Sequence, residues 1–205
     1  MVREQLEARG ITDERVLDAF ASVPRDRFVA EADRPAAYED HPLPIGAGQT
    51  ISQPFIVALM AEALAVTPDD HVLEVGAGSG YAAAIFSRLA ADVVAVERVP
   101  ELAAAAAERL RALGYTNVRV VAGDGSTGVA DAAPFDAICV SASAPRVPRA
   151  LVAQLAPGGR LVVPIGSPSE QELVRVRLDS DGRARAEHLG AVRFVPLLGE
   201  EGWQA

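Results

Sequence analysis

VLEVGAGSGY, residues 72 to 81, runs from an apolar stretch into three closely spaced glycines, Gly76, Gly78 and Gly80. The pattern reads as a buried strand entering a helix through a tight turn, because glycine lets a backbone bend sharply and approach a ligand closely. Nucleotide, dinucleotide and S-adenosylmethionine sites all use such a turn, so the motif alone does not choose among them. Spacing does more. A dinucleotide fingerprint needs glycine or alanine at position 81, where this chain has Tyr81. A P-loop needs a lysine, and the chain has none.

Outward from that turn, short apolar runs alternate with helical stretches, which implies a parallel sheet. Strands are predicted at about residues 71 to 75, 93 to 97, 118 to 122, 136 to 140 and 160 to 164, with helices near 80 to 90, 100 to 113 and 148 to 155. Past Gly166 come two extended runs, QELVRVRLD and EHLGAVRFVPL, joined through Asp181-Gly182, so an antiparallel hairpin is expected to close the sheet. Upstream, Val2 to Phe28 reads as helical, with a break at Gly10 and Thr12 as an N-cap. Pro35 to Pro54 carries too many prolines and glycines for regular structure and reads as a long functional loop, followed by a helix from Gln53 to Ala65. The expected fold class is α/β, a Rossmann-like, mostly parallel sheet with a C-terminal antiparallel hairpin and an N-terminal helical extension. A single domain is expected: 1–66 for the N-terminal helices and active-site loop, 67–166 for the cofactor-binding core, and 167–205 for the hairpin and tail.

Composition narrows the partners. Half of the 205 residues are hydrophobic, yet no stretch approaches the roughly 18 uncharged apolar residues of a membrane span, and MVREQLEARG lacks the apolar run of a signal peptide. A soluble, cytoplasmic monomer is expected. The formal charge of −9 argues against a nucleic-acid partner, since phosphate binding needs a basic face. Cys139 sits within FDAICV, which reads as a buried strand, and His41, His71 and His188 are scattered without partners at ligand spacing, so no metal site is expected.

Two acidic positions stand out at strand ends. Glu97 lies 21 residues after Gly76, where a carboxylate can accept from both hydroxyls of an adenosine ribose; it also reads as an ordinary strand-end acid. Asp124 in GDGS can accept from an adenine amine while Gly125 lies against the ring, or it forms a plain Asp-Gly turn. Glu74, penultimate in the first strand, falls near the amino-acid end of such a cofactor, or bonds nearby backbone amides. Three carboxylates at the ends of three successive strands fit one ligand crossing the carboxyl edge of the sheet.

Beyond the glycine motif, LPIGAGQTISQP (43–54), RGITDERVLDAFASVPRDRFV (9–29), GDGSTG (123–128), PRVPRALVAQLAPGGRLVVPIG (145–166) and RFVPL (193–197) resemble the protein-L-isoaspartate O-methyltransferases. SASA at 141–144 departs from the alanine-rich pattern expected of that family. The resemblance implies a class I S-adenosylmethionine-dependent methyltransferase fold and methyl transfer to the α-carboxylate of L-isoaspartyl residues in damaged proteins, with S-adenosyl-L-homocysteine as product. The ester then cyclises to a succinimide, which makes the activity one of repair. It also implies that Gln49, Thr50 and Ile51 lie over the cofactor, that Ser52 is the active-site residue, and that Thr50, Val195 and Leu197 lie beside the substrate. Local sequence offers Ser52 a second role as the N-cap of the following helix.

An isoaspartyl carboxylate has a pKa of roughly 4 and is already anionic at neutral pH, so it needs no general base. Charge is lost as carboxylate and sulfonium meet, so a strong anion clamp would stabilise the ground state and slow the reaction. Hydroxyls such as those of Thr50 and Ser52 orient without that cost. Three competing readings are methylation of an ordinary aspartate in a biosynthetic peptide, a small-molecule methyltransferase, and a catalytically silent S-adenosylmethionine-binding module. An NAD oxidoreductase survives only as a fold analogy.

Overall fold

The computed structural model describes residues 1–179 and 181–204. The chain enters through a π-helical turn, Val2–Leu6, and a 3-10 turn, Glu7–Arg9, then reverses at Gly10 with φ +97° into α1 (Glu14–Ser22). The cap of α1 is Asp13 rather than Thr12: the Asp13 carboxylate accepts from Arg15 N at 2.9 Å, while Thr12 N donates to Glu62 at 2.6 Å. Through-space bonding overrides the local preference here.

The stretch expected to be an irregular loop is more ordered than its punctuation suggests. Glu31–Ala36 is a 3-10 helix, and Leu43–Gly46 (β1) pairs antiparallel with Gln49–Ile51 (β2) in a two-stranded ribbon. Gly46, Ala47 and Gly48 turn between them, all with positive φ, which is why glycines recur there. Next comes α2 (Pro54–Leu64), opened by a proline at its first position, where no N–H is needed.

The predicted alternation follows: β3 (His71–Val75), α3 (Tyr81–Phe86), β4 (Asp92–Glu97), α4 (Pro100–Ala112), β5 (Val118–Ala122), β6 (Phe135–Val140), α5 (Arg149–Ala153) and β7 (Leu155–Gly166). The hairpin is β8 (Gln171–Leu178) and β9 (Ala184–Val192), with Ser180 outside the described residues. The seven strands lie in the order β5-β4-β3-β6-β7-β8-β9; β8 pairs antiparallel with both β7 and β9, and every other pair is parallel. Helix α3 ends earlier than predicted, passing into looser turns through Ala90.

The second hairpin run also ends early. β9 stops at Val192, which pairs with Gln171 at the start of β8, so no partner strand remains beyond it. Gln171 then takes both backbone groups of Phe194, accepting from its N–H at 2.7 Å and donating to its carbonyl at 3.2 Å. From there the chain turns back along the end of β6, where Ser143 and Pro196 form a parallel bridge.

Alternation along the strands divides the core. Val72, Val93, Ala95, Ala137 and Cys139 pack with α1, α2 and α3 on one face. Leu73, Val75, Val94, Val96, Ile138 and Val140 pack on the other with Leu151 and Leu197. Arg160 on β7 reaches the carbonyls of Leu64 and Ala65 at the end of α2 and pairs with Asp70, tying that helix to the sheet. Glu62 of α2 performs the same task for the N-terminal layer, one oxygen accepting from Thr12 N and Asp13 N. Glu62→Ala removes the acceptor of both amides, which water can partly replace at Thr12, so urea unfolding is expected to register a loss of about 0.5–1.5 kcal/mol.

Candidate active site

The face carrying Val72 and Cys139 becomes polar at its carboxyl edge. On β3 the period of two puts Glu74 on the same side as Val72; on β4 it puts Glu97 with Val93 and Ala95; beyond β6 it puts Ser141 with Ala137 and Cys139. Strand β3 lies between β4 and β6, and this is where strand order reverses, the usual ligand crevice of an open parallel sheet.

The glycine turn is bound to β4. Gly76 N and Ala77 N both donate to the Val96 carbonyl, at 2.8 and 3.1 Å. Glu97, 7 % exposed, accepts from Gly78 N at 2.8 Å through one oxygen and from Val99 N at 2.9 Å through the other. Each oxygen keeps a second lone pair. Gln49, Thr50, Gly76, Gly78, Glu97 and Gly125 share this cleft with Val195 and Leu197. A Cβ on Gly125 would come 2.6 Å from Val75 Cγ1, so only glycine allows the backbone this close.

Four residues singled out from the sequence sit differently from expectation. Gly80 lines none of these cavities; it caps α3, and a Cβ there would meet Leu110 of α4 at 3.1 Å, so it serves helix packing. Asp124 directs its carboxylate to Ser126 N at 2.9 Å and Glu200 N at 2.8 Å, which places it behind Gly125 rather than on the cleft wall. Burial alone would raise its pKa, but these bonds and the charge of Arg98 outweigh burial and lower it. Ile51 is 4 % exposed and packs mainly in the core, reaching the site only through the small cavity it lines with Glu74, Gly76 and Gly78. Leu197 is buried and lines the cofactor-side cleft only, whereas Val195 lines both the cleft and the groove described next.

A groove of about 620 Å³ adjoins the cleft, lined by Thr50, Ser52, Gln53 and Ser141 on one side and the Ala191–Val195 segment on the other. Ser52 is not a helix cap: Gln53 holds the N-cap position of α2, and Phe55 N is served by Asp40 at 3.3 Å. The Ser52 carbonyl accepts from Arg25 at 2.8 Å. Beneath, Thr50, Ser52, Ser141 and Tyr81 enclose a small cavity that Glu74 also lines. Glu74 is 1 % exposed and its Oε2 has no hydrogen-bond partner. Burial, then the nearby charge of Glu97, push its carboxyl well above the usual range.

The match to the protein-L-isoaspartate(D-aspartate) O-methyltransferase family model spans residues 1–202. The chain belongs to that family. A protein-L-isoaspartate O-methyltransferase 2 of Marinobacter nauticus is 57 % identical over 204 residues, 99 % of this chain and 93 % of that one. A protein-L-isoaspartate O-methyltransferase of Protochlamydia amoebophila is 55 % identical over 205 residues, 100 % and 98 % of the two chains. Among solved structures, one described as a protein-L-isoaspartate O-methyltransferase of Plasmodium falciparum in complex with S-adenosyl-L-homocysteine superposes with TM-score 0.83 at 28 % identity, covering 96 % of each chain. The expected fold and enzyme class are thus those of a class I S-adenosylmethionine-dependent methyltransferase.

The residues of this methyltransferase fit S-adenosylmethionine on their own chemistry. The backbone approach at Gly125 gives a flat wall, Glu97 has lone pairs to spare, and the unpartnered oxygen of Glu74 suits a cationic group. Ser141 and Arg25 were not among the residues read from the sequence. The signal for Ser141 was its place just past the β6 run FDAICV, at the switch point; nothing in VPRDRFV pointed Arg25 toward Ser52.

The buried Glu74 couples stability to pH. Its carboxyl is raised in the fold, so between about pH 4.5 and its folded value the native state holds a proton that the unfolded chain has released, and stability falls as pH rises. Glu74→Gln removes this penalty. Urea midpoints of the cofactor-free variant are expected to exceed those of the parent by a margin that grows from pH 5 to pH 8; parallel curves would contradict a buried, proton-holding Glu74.

Proposed function

We propose that the α-carboxylate of an L-isoaspartyl residue, presented in the 620 Å³ groove, is methylated where that groove meets the cofactor cleft. The observation that carries this reading is the junction itself: Thr50 and Ser141 line both spaces, and Ser52 lines the groove and the cavity over Glu74. These are neutral hydroxyls, suited to an acceptor that is already anionic and loses charge as it reacts.

Bound S-adenosylmethionine supplies a methyl group on a sulfonium sulfur. In our reading Glu97 would hold the ribose hydroxyls with its free lone pairs, Gly125, supported by Asp124, would flank the adenine, and Gln49 and Glu74 would hold the remainder of the cofactor, Glu74 serving its amino-acid end. Ser52 and Thr50 donate hydroxyl hydrogens to the substrate carboxylate and set its direction of approach. Orientation in a dry site then supplies most of the rate, with no base required. The Arg193–Val195 segment, extended past β9, offers backbone for a peptide to lie along. The three segments of the chain would act as one domain, and we expect a cytoplasmic monomer acting on isoaspartyl proteins rather than on nucleic acid or membranes.

The direct test uses labelled S-adenosylmethionine and two peptides differing only in L-isoaspartate against L-aspartate. Label is expected only in the isoaspartyl peptide. Transfer to the aspartyl peptide would favour a biosynthetic carboxyl methyltransferase, and transfer to neither, with S-adenosyl-L-homocysteine still bound, would favour a silent module. Ser52→Ala is expected to lower kcat on the order of 100-fold while S-adenosyl-L-homocysteine still binds; parental activity would remove Ser52 from the mechanism.

A further inference from the structure

Arg25 is the largest fully buried side chain among the described residues, at 0 % exposure. It sits on the 3-10 turn Arg25–Phe28. Its Nε donates to the Ala37 carbonyl and its Nη2 to the Ser52 carbonyl, both at 2.8 Å. The guanidinium lies over the Tyr81 ring, 4.8 Å from the centroid, and Nη1 has no hydrogen-bond partner. None of the ion pairs among the described residues includes it.

A buried cation that feels the charge of Asp40 but makes no direct ion pair still costs a sizeable share of a domain's net stability, and an apolar side chain would fill the same volume more cheaply. What the guanidinium adds is a rigid planar fork that holds two carbonyls at once. One of them belongs to the peptide joining Ser52 to Gln53. We propose that Arg25 is a positioning residue that acts through this peptide, fixing the Ser52 hydroxyl at the junction of groove and cofactor cleft. The inference rests on the role assigned to Ser52 above.

Geometry supports the coupling. With the Ser52 carbonyl drawn to Arg25, peptide planarity turns the Gln53 N–H away from the guanidinium, and Ser52 and Gln53 both line the groove. Tyr81, held edge-on by Phe20 and Phe28, backs the guanidinium and walls the cavity below Ser52. The positive charge therefore stands one peptide behind the acceptor carboxylate. It orders the site without clamping the anion whose charge must be lost.

The test is a double-mutant cycle between Arg25→Met and Ser52→Ala on the isoaspartyl peptide. Arg25→Met is expected to lower kcat on the order of 100-fold with S-adenosyl-L-homocysteine affinity unchanged, Arg25→Lys to recover part of the loss, and the double variant to be no slower than Ser52→Ala alone. Multiplying effects would make the two residues independent and overturn the proposal, as would parental kcat in a folded Arg25→Met protein or loss of S-adenosyl-L-homocysteine binding. If Arg25→Met fails to fold, the same cycle runs with Arg25→Lys, which keeps the charge but not the fork. Apart from turnover, the Ser52 carbonyl-carbon resonance is expected to move upfield in Arg25→Met as its hydrogen bond is lost and by a smaller amount in Arg25→Lys as that bond is weakened, and an unmoved resonance overturns the proposal. Should the parent protein leave isoaspartyl peptides unmethylated, the functional reading fails while that resonance still decides whether Arg25 holds Ser52.

Discussion

Strand β3 is paired on both sides along its length, with β4 and with β6, and its carboxyl end is where the chain must leave the sheet. The backbone leaves with its amides satisfied by the neighbouring strand. Gly76 N, Ala77 N and Gly78 N are carried across to β4, two of them on the Val96 carbonyl and one on Glu97. Glu97 also carries Val99 N, so one carboxylate shapes both the loop after β3 and the loop after β4. The cleft follows from this shared acceptor.

The polar groups that cost most to bury lie together on one side of the sheet. Glu74, Arg25 and Tyr81 each keep a buried polar atom without a partner, and all three lie within the same layer, between β3 and the N-terminal elements. Burial raises the Tyr81 phenol and lowers the Arg25 guanidinium, so Tyr81 stays neutral while Arg25, with an ordinary value so high, stays charged. A core built for stability alone would use apolar residues at these positions. Their concentration beside Ser52 is the pattern expected where a fold sacrifices stability for a site.

The C-terminal segment joins the two sides of that site. Val195 O and Leu197 N bracket Ser143 at 2.8 Å each, and the Trp203 indole donates to the Ser143 carbonyl at 3.0 Å. Beyond it, Gly199 lies so near Asp124 that a Cβ would come 2.0 Å from Oδ1, while Glu200 N and Glu201 N bond Asp124 and Ser126. The wall of the groove and the loop behind Gly125 are consequently one connected structure, and movement of the tail would be felt at both.

Much of this was legible in the sequence because it depends on near neighbours along the chain. The period of two in HVLEV and DVVAVE, the glycines after Val75, the proline opening α2 and the extended runs of the hairpin all express local backbone and packing preferences, and the sheet appeared where they placed it. Glu97 and Gly125 could be placed at a ligand edge for the same reason. The family resemblance supplied Ser52, which no local pattern distinguishes from a helix cap. Only the tertiary structure decided that Asp13 caps α1 while Glu62 takes Thr12, that β9 ends when β8 offers no further partner, that Gly80 serves the contact with α4, and that Arg25 stands behind Ser52. Apart from the Asp13 cap, a local bond that prevails because Glu62 holds Thr12, each of these is a hydrogen bond or close contact between residues far apart in the chain, and its strength depends on burial and on distance, neither of which is encoded in the order of residues nearby.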